Sequence, residues 1–233
     1  MVNEKTLELN IIHELLQISR RYDPNAFAFG TTLIQESHLG YDSRILGRFP
    51  PYWVASPKQF KRAKRRQRVG RRQFIYFFDI NNNTYNDQHL ILYYVLAGGI
   101  RNVAYYALPA IYTQNEFSNS LPHLLNQTFY IDVADIHPNW VNTQKHRILL
   151  YPHRRMALLQ SDNERQISVM SSEEFIGLIA EKKIGARIST ILENMKYPPK
   201  ADVILKSKRP RFVFSIFPRV SDAPEPWTVS EQR

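Results

Sequence analysis

The chain contains no cysteine, which excludes disulfide staples and thiolate zinc sites and fits a reducing cytoplasm. No run of about 18 apolar residues occurs, so a hydrophobic membrane helix is excluded and a soluble, cytoplasmic protein is expected. Residues 1–20 carry charges throughout and lack the apolar stretch of a signal peptide. There is no G-x-x-x-x-G-K-[ST] loop to cradle a nucleotide and no G-x-S-x-G elbow for a hydrolase nucleophile. The histidines show no H-x-x-x-H or other zinc-ligand spacing. The most informative absence is local. Between Asp42 and Asp79, thirty-six residues hold no carboxylate, yet they carry eleven of the 31 Lys and Arg side chains. The 20 remaining basic residues nearly balance the 21 acidic ones, so the formal charge of +10 is a property of this one segment. A field so concentrated has one common use, which is to hold a polyanion.

At 233 residues, with 43% hydrophobic and 12% aromatic content, the chain can bury a substantial core. Leu7, Ile11, Ile12, Leu15, Leu16 and Ile18 recur at helical spacing and predict an amphipathic helix over residues 3–20. A short helix is expected over 31–39, ended by Gly40, then strands at 41–46, 52–61 and 71–80. Pro57 argues that the 52–61 strand is irregular or lies at an edge. A helix at 87–97 and a buried strand at 102–108 follow, then a helix at 115–126 and a strand at 128–136. A hairpin is expected from 146–151 and 156–160, and helices from Ser171 or Ser172 to 184 and over 186–195. This order predicts an α/β fold, with α+β as the alternative, built on a mixed central sheet flanked by helices. Residues 1–197 are expected to form one domain, and 198–233 an extended, partly flexible C-terminal segment.

Chemistry concentrates where the carboxylates stop. Glu36 lies on the short predicted helix, and Asp42 begins the strand after the helix-ending Gly40. Gln59 and Lys61 follow on the next strand, where period-two alternation gives them one face and Phe60 the other. If the two strands are neighbours, Asp42, Gln59 and Lys61 converge, with Glu36 approaching from the helix. Two carboxylates, an amide oxygen and the Phe60 main-chain carbonyl make a hard oxygen set, which suits Mg²⁺ or Mn²⁺ far better than zinc. Such an ion polarises a phosphate and lowers the pKa of a bound water, and Lys61 is suited to orient that water or stabilise the developing charge.

Glu36, then Gly40-Tyr41-Asp42, then Gln59-Phe60-Lys61 resembles the PD-(D/E)XK nuclease superfamily, many of whose members serve in restriction and phage defence. The resemblance implies a restriction-endonuclease-like core with Asp42 as principal metal ligand, Gln59 at the second acidic position and Lys61 as catalytic lysine. Glu36 would be an additional metal or water ligand. It covers roughly residues 30–80, and the departure is Gln59, a neutral group where an acid is commoner. Gln88 and His89, which open the helix after the aromatic strand, are secondary candidates to line such a site.

The phosphate-binding surface expected beside it comprises Lys58, Arg62, Lys64, Arg65, Arg66, Arg68, Arg71 and Arg72, with the arginines about Gly70 resembling a hairpin tip. Tyr52, Trp53, Phe60 and Phe74 are candidates to stack on bases, though core packing is the commoner fate of such residues. His153-Arg154-Arg155 forms a second, smaller basic cluster. The expected function is Mg²⁺-dependent cleavage of DNA, favoured over RNA, by the effector subunit of a microbial anti-phage defence or restriction system. A protein partner or homo-oligomer would regulate it. The alternative is a non-catalytic nucleic-acid-binding or scaffold subunit of a defence complex that keeps the fold without turnover.

Overall fold

A computed structural model of the chain describes residues 2–22, 24, 26–30, 43–49, 52–69, 73–80, 88–90, 92–93, 101–141, 146–160, 164–181, 183 and 186–187. The expected helix at 31–39 and the segment 198–233 lie outside these residues, as do most of the expected helices at 87–97 and 186–195.

Helix α1 (Glu4–Tyr22) is followed by strands β1 (Phe27–Gly30), β2 (Ser43–Phe49), β3 (Tyr52–Phe60), β4 (Arg65–Arg68) and β5 (Phe74–Ile80). One helical turn (Gln88–Leu90) precedes β6 (Tyr105–Pro109), helix α2 (Gln114–Ser120) and β7 (Thr128–Asp132). Strands β8 (His146–Tyr151), β9 (Met156–Gln160) and β10 (Arg165–Ser168), helix α3 (Ser172–Ala180) and β11 (Ala186–Arg187) complete the described elements.

These strands form two sheets instead of the one central sheet expected. The first runs β1-β2-β3-β6-β7, with β11 also paired to β3; the second runs β10-β9-β8-β5-β4. Within the first sheet β3 and β6 are parallel, and its other pairs are antiparallel, as are all pairs of the second. The arrangement is α+β, the alternative expectation, because α1, α2 and α3 gather on one side instead of alternating with parallel strands.

β6 explains how the layers stack. Its five residues are all buried, as its unbroken apolar sequence requires of a strand covered on both faces. Tyr105 and Ala107 pack with Leu7, Ile11 and Leu15 of α1 and Phe175 of α3. Tyr106 and Leu108 face the opposite way, into a core shared with Tyr76, Phe78 and Ile80 of β5 and Ile148 and Leu150 of β8. The helices α1, α2 and α3, the first sheet and the second sheet therefore make three layers around two apolar seams. Phe175 anchors the helical seam, stacked on Tyr130 at 3.9 Å and edge-on to Tyr105 at 4.9 Å. Glu14 fixes α1 to the neighbouring turn by accepting from the Leu124 and Leu125 N–H groups at 2.9 and 3.0 Å.

Several expectations are corrected. β3 lies inside its sheet despite Pro57, which sits between the residues paired with β11 (Val54, Ala55) and those paired with β6 (Lys58 to Phe60). There the missing N–H falls between the two ladders on that side of the strand. The helix expected from residue 115 ends at Ser120, and Leu124–Gln127 is a 3₁₀ turn. The strand expected over 128–136 stops at Asp132, whose side chain accepts from the Ala134 N–H and caps a 3₁₀ turn. Ala186–Arg187 is a strand, not the start of a helix, because β3 offers it a free ladder edge. The basic stretch Arg65–Arg68 is itself a strand, and β10 was not foreseen.

Candidate nucleic-acid and phosphodiester site

The pairing on which the site depends is that of β2 with β3. These strands are antiparallel neighbours, with Phe49 opposite Tyr52 and Ser43 opposite Lys58. Ser43 follows Asp42 in the chain and Lys58 precedes Gln59; Asp42 and Glu36 themselves lie outside the described residues. Gln59 is in register with Tyr106 of the parallel neighbour β6.

Lys61 stands one residue past the end of β3. Its N–H donates to the Ala107 carbonyl at 3.1 Å, extending the parallel ladder by one bond. Pro109 has no N–H with which to continue it. The residue is only 6% exposed, which is rare for lysine, since an ammonium leaves water at high cost unless oxygen or anionic partners accompany it. Among the described residues no group of three His, Asp or Glu side chains is gathered as a metal site.

His89 lies in the core instead of facing an open cleft. It is fully buried and nearly parallel to the Tyr106 ring at 6.0 Å. Its Nε2 is 2.9 Å from the Ile136 carbonyl, which can only accept, so Nε2 carries the proton. Nδ1, 3.0 Å from the Tyr106 hydroxyl, is then the acceptor. Burial, aided by His146 and His137 nearby, lowers its pKa to about 4 against the opposing pull of the Ile136 carbonyl. It is a neutral core group bonded to Tyr106, the register partner of Gln59. Gln88 is the first residue of the same helical turn.

The basic run divides into three kinds of residue. Arg62 is half-buried, and its N–H donates to Glu4 Oε2 at 2.9 Å, tying the segment to the start of α1. Arg66 is committed internally: its guanidinium pairs with Glu116 and lies 4.5 Å above the Phe74 ring. Phe74 is therefore covered by an arginine and not open to a base. Glu116 also accepts from the Tyr76 hydroxyl at 3.0 Å and from the Tyr112 and Thr113 N–H groups at 2.8 Å each. Burial pushes the Glu116 carboxyl upward, but those N–H groups, the Tyr76 hydroxyl and the Arg66 charge together outweigh it and hold the pKa below the ordinary value.

Lys64, Arg65 and Arg68 are exposed. Arg65 and Arg68 project from β4, which is an edge strand among the described elements, with the Arg65 guanidinium 5.4 Å from the Phe77 ring centroid. The hairpin expectation holds for its described part, since β4 and β5 are antiparallel and Val69 N–H bonds the Gln73 carbonyl at 3.0 Å. Arg71 and Arg72 lie outside the described residues, and of Lys58, Tyr52, Trp53 and Phe60 only the backbone is described.

Sequence reasoning missed the Glu116 hub, although Thr113-x-x-Glu116 is a capping-box signature that marks it. Comparison of the chain with family models, with curated proteins and with solved structures returned no match.

Proposed function

We propose that the protein is a Mg²⁺-dependent nuclease acting on DNA, the effector subunit of a microbial defence or restriction system. The observation that carries this reading is the β2–β3 register together with the burial of Lys61. One further step of that register would set Asp42 opposite Gln59, two residues from Lys61. Exposed cations at Lys64, Arg65 and Arg68 begin immediately beyond.

Asp42, Glu36, the Gln59 amide oxygen and the Phe60 carbonyl are the groups that would hold the ion, and all are hard oxygen donors that fit it. When bound, the ion would polarise the scissile phosphate and lower the pKa of an attacking water. Lys61, held rigidly by the β3–β6 ladder, would place its ammonium against the phosphate oxygens as negative charge develops there. His89 and Tyr106 would fix the floor behind Gln59. Lys64, Arg65 and Arg68 would bind flanking phosphates without reading bases.

The neutral Gln59 favours one other reading, a binding or scaffold subunit without turnover. Duplex DNA incubated with the full chain in Mg²⁺ or Mn²⁺, alone and with candidate partner subunits, separates the two. Cleavage that Asp42→Ala or Lys61→Met reduces at least a hundredfold, with duplex affinity within a few-fold, supports the nuclease. Absence of cleavage by the wild-type chain under all these conditions leaves only the binding subunit.

A further inference from the structure

We infer that the nucleic-acid surface does not end at β4 but continues onto the β8–β9 turn, so that Arg68 at the end of the β4–β5 pair and Arg154 and Arg155 of that turn grip one DNA backbone. The inference rests on the nucleic-acid-binding part of the reading above, not on cleavage. In the second sheet β5 lies directly beside β8, with Tyr76 opposite Leu150 and Phe77 opposite Leu149. Phe74 and Arg68 close one end of the β4–β5 pair, and Tyr151 and Met156 close the same end of the β8–β9 pair. His153, Arg154 and Arg155, about 85 residues further along the chain than Arg68, are thus brought to the same end of the same sheet. With strands about 4.8 Å apart, the axes of the two hairpins are separated by about 10 Å. The side chains of Arg68 on one side and Arg154 and Arg155 on the other can span that gap to phosphates of one duplex.

Three features favour an anion there over a merely solvated turn. His153, Arg154 and Arg155 are all exposed. Among the described residues, Glu173 approaches Arg155 only to 4.0 Å, with the two side chains 84% and 62% exposed, a geometry that neutralises little. Glu116, on the hairpin side, is already engaged by Arg66. Third, Arg155 holds a left-handed backbone with φ 48, where glycine or asparagine is the usual occupant. An arginine in that conformation costs the fold more than glycine would, a cost that a phosphate contact through its side chain would offset.

The test is binding of a fluorescent 20-base-pair duplex by the full chain in EDTA, titrated over salt, so that cutting plays no part. The double variant Arg154→Ala/Arg155→Gly should weaken binding roughly 10- to 60-fold near 0.1 M salt and lower the slope of log K against log salt by about 1.8, the value for two lost phosphate contacts. Arg155→Gly alone should lose affinity while its Tm stays equal or rises, which a merely structural arginine would not do. Affinity and slope unchanged in the double variant, while Arg68→Ala weakens binding, would confine the surface to the β4–β5 hairpin and overturn the inference. A wild-type chain that binds but never cuts would defeat the nuclease reading and leave this one intact.

Discussion

Glu116→Ala should be the most damaging single substitution near the basic hairpin, although the residue touches no proposed ligand. Its carboxylate accepts from Tyr112 N–H, Thr113 N–H, the Thr113 and Tyr76 hydroxyls, and Arg66. Truncation removes the reciprocal half of the α2 capping box, worth about 1 kcal/mol, and strands charge-assisted bonds worth roughly 1.5–3 kcal/mol each before non-additivity. Tyr76 and Arg66 can relax toward water, so a total of about 3–4 kcal/mol is expected, or a Tm fall of about 6–16 °C for a chain of this size. The sign of its pH dependence follows from the lowered carboxyl pKa. Such a group contributes stability that is complete above its unfolded pKa and is lost as pH falls through the folded value. The Tm gap between wild type and Glu116→Ala should therefore be full at pH 7 and narrow progressively below about pH 4.5. Thermal melts followed by circular dichroism from pH 7 to 3 measure both quantities. A gap under 2 °C at pH 7, or one that does not narrow in acid, would refute the view of Glu116 as the hub that fastens β4 to α2.

Arg66→Ala should lower stability by about 1 kcal/mol while leaving duplex affinity within twofold, whereas Arg68→Ala should weaken binding severalfold; a greater loss of affinity in Arg66→Ala than in Arg68→Ala would mean that Arg66 is a phosphate ligand after all. His89 provides a second pH test: its folded pKa of about 4 lies below the unfolded value, so the unfolded chain binds the extra proton and stability falls with acidification below about pH 6.5. Between pH 7.5 and 5 the wild type should lose about 2 kcal/mol that His89→Asn does not lose, and equal losses in the two proteins would show that the buried imidazole is not the group titrating.

What could be read from the sequence was local, and what could not depended on distant partners. The β2–β3 pairing was legible because residues 43–49 and 52–60 adjoin with only Pro50 and Pro51 between them, so register becomes a matter of counting outward from the turn. The double-faced burial of β6 was legible in its unbroken apolar run, and α3 in its Ser171 cap. By contrast, nothing in Arg65-Arg66-Gln67-Arg68 has the apolar alternation of a strand. It is extended because β5 supplies the ladder and the Phe74 and Phe77 rings support the guanidinium groups of Arg66 and Arg65. His89 was read as a polar helix residue near a site because its partners lie 17 and 47 residues away, at Tyr106 and Ile136. The split into two sheets was hidden for the same reason, since apolar period marks which residues are buried but not against which layer. A charge run has a related ambiguity: composition placed every cation of residues 58–72 in one field, while the fold gives Arg66 to Glu116 and sets Arg154 and Arg155 beside the hairpin. The cations most useful to a polyanion are thus chosen by which carboxylates the fold leaves nearby, a selection that counting charges along the chain cannot make.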